Sequence, residues 1–270
     1  MIEHDQTIKE LDQARIEVAA EKAGAEELLD NLLPAPIAEE LKKSGKVQPK
    51  YARSATILFA DFQGFTILAE QAEPAALVGL LDQYFTAFDD IVARHGKLKT
   101  IGDAYMAVGG VPKSNRRHPI DACLTALEMQ TTVARMKLRA AKMRLPALGL
   151  RVGIHTGPVI SGVVGNRRFS FDIWGDAVNA ASFMEAHSLP GRINISETVA
   201  GHVKALFELE PRGSIEAKHE RAYEMYFLNR LRKEFSRDAM HGLPNENLFA
   251  EYDRQGGTRI GRYEGSERGH

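Results

Sequence analysis

Phe59-Ala-Asp-Phe-Gln-Gly-Phe65 and Lys99-Thr-Ile-Gly-Asp-Ala-Tyr105 decide how this chain is read. In each, an aspartate, Asp61 or Asp103, ends or interrupts a short apolar run beside a glycine, which places two carboxylates on adjacent strand ends. Mg²⁺ is commonly held by one or two carboxylates together with phosphate oxygens and water. A pair of this kind suits two-metal phosphoryl transfer on a nucleoside triphosphate.

Outward from these stretches the pattern alternates. It predicts a strand over 54–61, a helix over 66–94, a hairpin over 97–110 pivoting on Gly102-Asp103, a helix over 118–142, and strands at 149–156 and 159–165. A helix at 176–187, a strand at 192–196, a helix at 197–205 and a closing hairpin reaching 229 follow. The βαββαβ order predicts an α+β, ferredoxin-like plan: a mostly antiparallel sheet with helices on one face.

Three segments result. Residues 1–48 read as a signalling segment, with Leu11, Val18, Ala25 and Leu32 spaced by seven as in a short coiled coil. Arg15 and Lys22 fall in the partner core positions, so the seam is weak, and a solvated helix ordered by the domain behind it fits equally well. Pro34 and Pro36 end that helix and Ile37-Ala-Glu-Glu-Leu-Lys-Lys43 starts a second. Residues 49–232 form the central domain. From 233 to 270 apolar residues thin out while glycine and charge rise, the composition of a mobile tail.

Composition narrows the function classes. With 44% apolar residues in 270, the chain can bury a sizeable core, and 35 lysines and arginines against 36 acidic residues argue against a nucleic-acid partner. No apolar run approaches a membrane span and the amino terminus lacks a secretory pattern, so a cytoplasmic setting is expected, including the cytosolic part of a membrane-bound receptor. The single cysteine, Cys123, sits in an apolar helical pattern as a packing thiol.

Together with Val152-Gly-Ile-His-Thr-Gly-Pro-Val159 and Phe171-Asp-Ile-Trp-Gly-Asp-Ala-Val-Asn179, the two opening stretches resemble the class III nucleotidyl cyclases over residues 28–229. Leu28-Leu-Asp-Asn-Leu-Leu-Pro-Ala-Pro36 is similar to the transducer helix ahead of such domains. The resemblance implies a cyclase homology domain acting as a head-to-tail homodimer with sites at the interface. It also implies an upstream sensor or receptor outside this chain. By it, Asp61 and Asp103, with the backbone carbonyl of Phe62, hold two Mg²⁺ or Mn²⁺ ions. Phe62-Gln-Gly-Phe-Thr66 precedes a helix, so the backbone N–H groups around Gly64, Phe65 and Thr66 suit a polyphosphate. Gly64 serves either that contact or the turn alone.

Adenine presents an acceptor at N1 and a donor at N6, and guanine presents the reverse. Lys99 as donor and Asp172 as acceptor stand where adenylate-forming members carry them, so the resemblance implies ATP as substrate and 3′,5′-cyclic AMP with pyrophosphate as products. Guanylate or pyrimidine-nucleotide cyclisation, and nucleotide sensing without turnover, are the rival readings. Asn179 matches the asparagine that positions the ribose; Arg167 suits triphosphate oxygens, and Lys218 matches the first lysine of a basic turn over the phosphates.

Two positions depart from the family. Phe183 stands where an arginine usually stabilises charge on the α-phosphate, and Glu220 where a second lysine is usual. Arg192, Arg168 and, near the turn, Arg221 are the candidate replacements.

Overall fold

The structure is a computed structural model that describes residues 13, 15–24, 29, 33–65, 73–95, 105–142, 148–165, 170–217, 222–238 and 242–254. Contacts divide the chain into two units, one of Met1–Lys50 with Ser161–Ile173, the other of Tyr51–Ile160 with Trp174–His270.

In the first unit, residues 15–24 are helical, and Ile16 and Val18 lie exposed there. The helix α1, Ala35–Ser44, begins on Pro34 and Pro36, whose missing N–H groups cost nothing in a first turn. It ends at Gly45, which takes the left-handed conformation (φ 67°) and donates its N–H to the Leu41 carbonyl at 2.8 Å. The apolar side of α1 is used: Leu33, Ile37 and Ala38 are buried in a cluster with Phe171, flanked by Leu41, Val47 and Val163. The strand β4, Ser170–Trp174, supplies Phe171.

The second unit holds the main core. Its strands are β1, Lys50–Gln63, which starts at the unit boundary; β2, Tyr105–Gly109; β3, Gly149–Val164, which belongs to the first unit from Ser161 on; β5, Ile193–Ser196; β6, Phe207–Glu216; and β7, Ala222–Leu231. The sheet order is β2-β1-β3-β5-β7-β6, and β4 pairs with β3 off that path. β1 with β2, β5 with β7 and β6 with β7 are antiparallel, while β3 and β5 run parallel, so the sheet is mostly antiparallel as the α+β reading requires. The helices are α2, Pro74–His95; α3, His118–Lys142; α4, Asp176–Ala186; α5, Glu197–Val203; and α6, Glu246–Arg254. Tyr84, Phe88, Ile91, Ile120, Leu124 and Met129 from α2 and α3 are buried with Leu58, Ile154 and Ile195 from the sheet. Cys123 is fully buried on α3, as a packing thiol would be.

Two differences from the sequence reading have physical causes. Gly157-Pro158 was expected to separate two strands, yet β3 runs unbroken through it over 16 residues. Pro158 is exposed and its fixed φ is compatible with extended chain, so only a donor is lost. Within 233–270, where a mobile tail was expected, the described residues include a 3-10 turn at Lys233–Phe235 and helix α6. Leu248 and Tyr252 of α6 lie in the main core, Arg117 pairs with Asp253 at 2.7 Å, and the Tyr252 hydroxyl donates to the Arg116 carbonyl. Leu248 and Tyr252, a helical turn apart, with Phe249 packed beside them, dock a segment whose average composition is polar. The hairpin tip expected at Gly102-Asp103 lies outside the described residues; its second strand, β2, is present and pairs with β1.

Candidate active site

Asp61 lies two residues from the end of β1, between Ala60 and Phe62, both buried. Strand alternation turns the Phe62 ring into the core, 4.7 Å from Tyr84 and 6.0 Å from Phe88 between centroids, and leaves Asp61 on the opposite face. Its side chain is 37% exposed, so solvent reaches the carboxylate. Gly64 follows with φ 80° and nothing within 4 Å of where a Cβ would stand, so what it visibly supplies is a turn conformation that other residues rarely adopt. Phe65 packs against the core. Thr66, Lys99, Asp103, Arg167, Arg168, Lys218, Glu220 and Arg221 lie outside the described residues.

Two residues that no sequence motif singled out meet Asp61. Arg151, on the neighbouring strand β3, donates from Nη2 to Asp61 Oδ2 at 2.8 Å, and the same nitrogen lies 3.0 Å from Glu185 Oε1. Glu185 reaches this spot because α4 packs directly on β3. A Cβ on Gly153 would fall 1.9 Å from the Glu185 amide nitrogen, so only glycine admits the helix. Asn194, fully buried on β5, ties the same helix down by donating to the Met184 carbonyl at 2.8 Å. Burial raises the Glu185 pKa, Arg151 opposes that shift, and Asp61 reinforces it.

Asp172 sits on β4 between the buried Phe171 and Ile173 and is partly exposed on the other face; its Oδ1 accepts from the Ile173 N–H at 2.7 Å. Asn179 is exposed on α4. One turn on, Phe183 belongs to a ring cluster, 4.0 Å from His187 and 5.6 Å from Tyr223. His155 meets the same tyrosine edge-on at 6.2 Å and shares a 2.9 Å hydrogen bond with Ser196. Burial lowers its pKa to about 4, which keeps it neutral and supports a packing role. Arg192, the candidate replacement among the described residues, is engaged elsewhere: it donates to Glu210 at 2.6 Å and lies over the Phe227 ring at 4.0 Å.

Whether this chemistry fits a divalent cation can be judged at Asp61. It offers a solvent-accessible carboxylate near a second, partly buried carboxylate, and hard oxygen donors of this type match Mg²⁺ and Mn²⁺. The described residues contain no group of three or more metal-ligating side chains, so a cation at Asp61 would need ligands beyond them.

Residues 47–230 match the family described as the adenylate and guanylate cyclase catalytic domain. An adenylate cyclase of Mycobacterium tuberculosis is 43% identical over 223 residues, covering 80% of this chain and 49% of its own length. Human retinal guanylyl cyclase 2 is 38% identical over 218 residues, covering 78% of this chain and 20% of its own. Among solved structures, the catalytic core of a rhodopsin-guanylyl cyclase with converted specificity, in complex with ATPαS, is similar. Its TM-score is 0.62 at 31% identity, covering 67% of this chain and 97% of that one. The chain thus spans about half the length of the mycobacterial relative and a smaller share of the retinal one.

Proposed function

Because this chain belongs to the adenylate and guanylate cyclase catalytic domain family, we propose that it converts ATP to 3′,5′-cyclic AMP and pyrophosphate. The observation that carries the reading is Asp61, a solvent-accessible carboxylate at a strand end with a guanidinium 2.8 Å away, in the motif where a metal ligand is expected. Asp61, Asp103 and the Phe62 carbonyl are the groups that would hold two Mg²⁺ or Mn²⁺ ions. When bound, such ions lower the pKa of the ribose 3′-hydroxyl and neutralise the departing pyrophosphate.

The remaining roles belong to the chain's own side chains. Asp172 accepts from the adenine N6 amino group and Lys99 donates to N1; a mismatched base leaves a charged partner unpaired, which is how such sites discriminate strongly. Asn179 orients the ribose. Backbone N–H groups around Gly64, Phe65 and Thr66, with Arg167 and Lys218, neutralise the triphosphate. The domain works as a head-to-tail homodimer, fed by a sensor outside this chain through the helix ahead of β1. No helix among the described residues is long and apolar enough to cross a membrane, which is compatible with a cytoplasmic placement or with the cytosolic part of a receptor.

A second reading has its own observation. Phe183 offers no hydrogen-bond donor from its ring and is locked against His187 and Tyr223, which favours a slow enzyme or a nucleotide sensor. Incubating the full chain with equimolar ATP, GTP, CTP and UTP and Mn²⁺, then separating the products, decides between them. Cyclic AMP as the dominant product is expected; bound ATP with no cyclic product would leave the sensor, and cyclic GMP would overturn the base assignment.

A further inference from the structure

Asp61, Arg151 and Glu185 form an unequal triad. The Arg151–Asp61 contact at 2.8 Å is an aligned hydrogen bond. The Arg151–Glu185 contact at 3.0 Å brings the charges together, yet Glu185 Oε1 and Arg151 Nε are both buried without a hydrogen bond among the described residues. The guanidinium has five N–H donors in a fixed fork, and its Nε is left without an acceptor while Glu185 Oε1 is held by charge alone.

That asymmetry matters once a divalent cation is to use Asp61. A guanidinium and a cation compete for one carboxylate, and Arg151, only 24% exposed, loses stabilisation when stripped of its partner. Glu185 supplies the alternative partner. Its backbone is clamped to β3 at Gly153, so it cannot follow a moving side chain.

We propose that Glu185 is a positioning residue: it retains Arg151 by charge when Asp61 turns to a metal ion, and so sets the metal affinity of Asp61. This rests on reading Asp61 as a metal ligand. Arg151 pivots from Asp61 toward Glu185, pairs its idle Nε–H there, and frees Asp61 Oδ2. Without Glu185, the guanidinium stays on Asp61 and blocks it.

The test is Mn²⁺ binding to the full chain without nucleotide, read from the free-ion electron paramagnetic resonance signal. Glu185→Gln weakens binding by about tenfold or more, the usual effect of removing a partner behind a metal ligand. In an Arg151→Met background the same change has less than a twofold effect, because the residue it acts through is gone. Glu185→Asp, with its charge one methylene back, gives an intermediate loss and serves the same comparison should the glutamine variant not fold by circular dichroism. Binding lost in Asp61→Asn but within twofold of the parent in Glu185→Gln would overturn the positioning role alone. So would an equal loss in both backgrounds. Binding unaffected by Asp61→Asn would overturn the metal assignment and this inference with it.

Discussion

Asp61 is where a single atom's chemistry can be tested most directly. Asp61→Asn removes the charge while preserving shape, and the residue is partly exposed, so cyclic AMP formation should fall below detection while the thermal unfolding midpoint moves little. Phe183 calls for the opposite experiment. Phe183→Arg restores a donor of a kind whose removal costs on the order of 10²–10³ in turnover. It also gives up ring contacts worth about 1 kcal/mol. Turnover should rise by about tenfold or more with slightly lower stability; no rise in kcat would mean that this site does not use a donor there. For base choice, Lys99→Glu with Asp172→Cys should shift the ratio of cyclic AMP to cyclic GMP toward the latter, and an unchanged ratio would reject the assigned readout. The sequence disclosed Asp61 because it interrupts an apolar run beside a glycine, and Asp172 through the resemblance of its motif to the nucleotidyl cyclases. It did not disclose Arg151 or Glu185, since an arginine in an alternating strand and a glutamate in a helix look like solvated residues until cross-strand register brings them together.

Among elements, the start of α3 carries a buried polar knot. His118 Nδ1 shares a 2.6 Å hydrogen bond with Thr56 on β1, whose hydroxyl meets Thr156 on β3 at 2.6 Å, and Ser54 lies 3.4 Å from His118 Nε2. Burial, with a smaller push from His202, lowers the His118 pKa from 6.5 to about 4. In the unfolded chain the ring protonates below about 6.5, whereas in the folded one it stays neutral to about 4, so the unfolded state binds more protons across that window. Stability is therefore full above pH 6.5 and is lost as pH falls toward 4, by an amount on the order of 2–3 kcal/mol for this ring, with His155 adding to the same slope. Unfolding midpoints recorded between pH 8 and 4 should decline only below about 6.5, and His118→Gln should flatten that decline. The contact of α4 with β3 predicts a second effect: Gly153→Ala should cost about 3 kcal/mol or more, because the obstacle is backbone that cannot step aside. Helix and strand positions were largely legible from periodicity; the unbroken β3 was not, because proline signals a break only where its N–H is needed.

For the molecule as a whole, a homodimer with sites at its interface should lose specific activity on dilution. Measuring cyclic AMP formation per milligram across the range where sedimentation shows dissociation checks this; constant specific activity in the monomer would reject it. The family match stops at residue 230, but the folded chain does not: α6 returns to the main core and meets the start of α3 through Arg117 and Tyr252. For anyone cloning the domain, the practical boundary lies no earlier than Arg254 and not at the end of the last strand. A clone cut near 232 would leave the apolar seat of Leu248 and Tyr252 open to water, and clumping during purification would then say nothing about the enzyme itself.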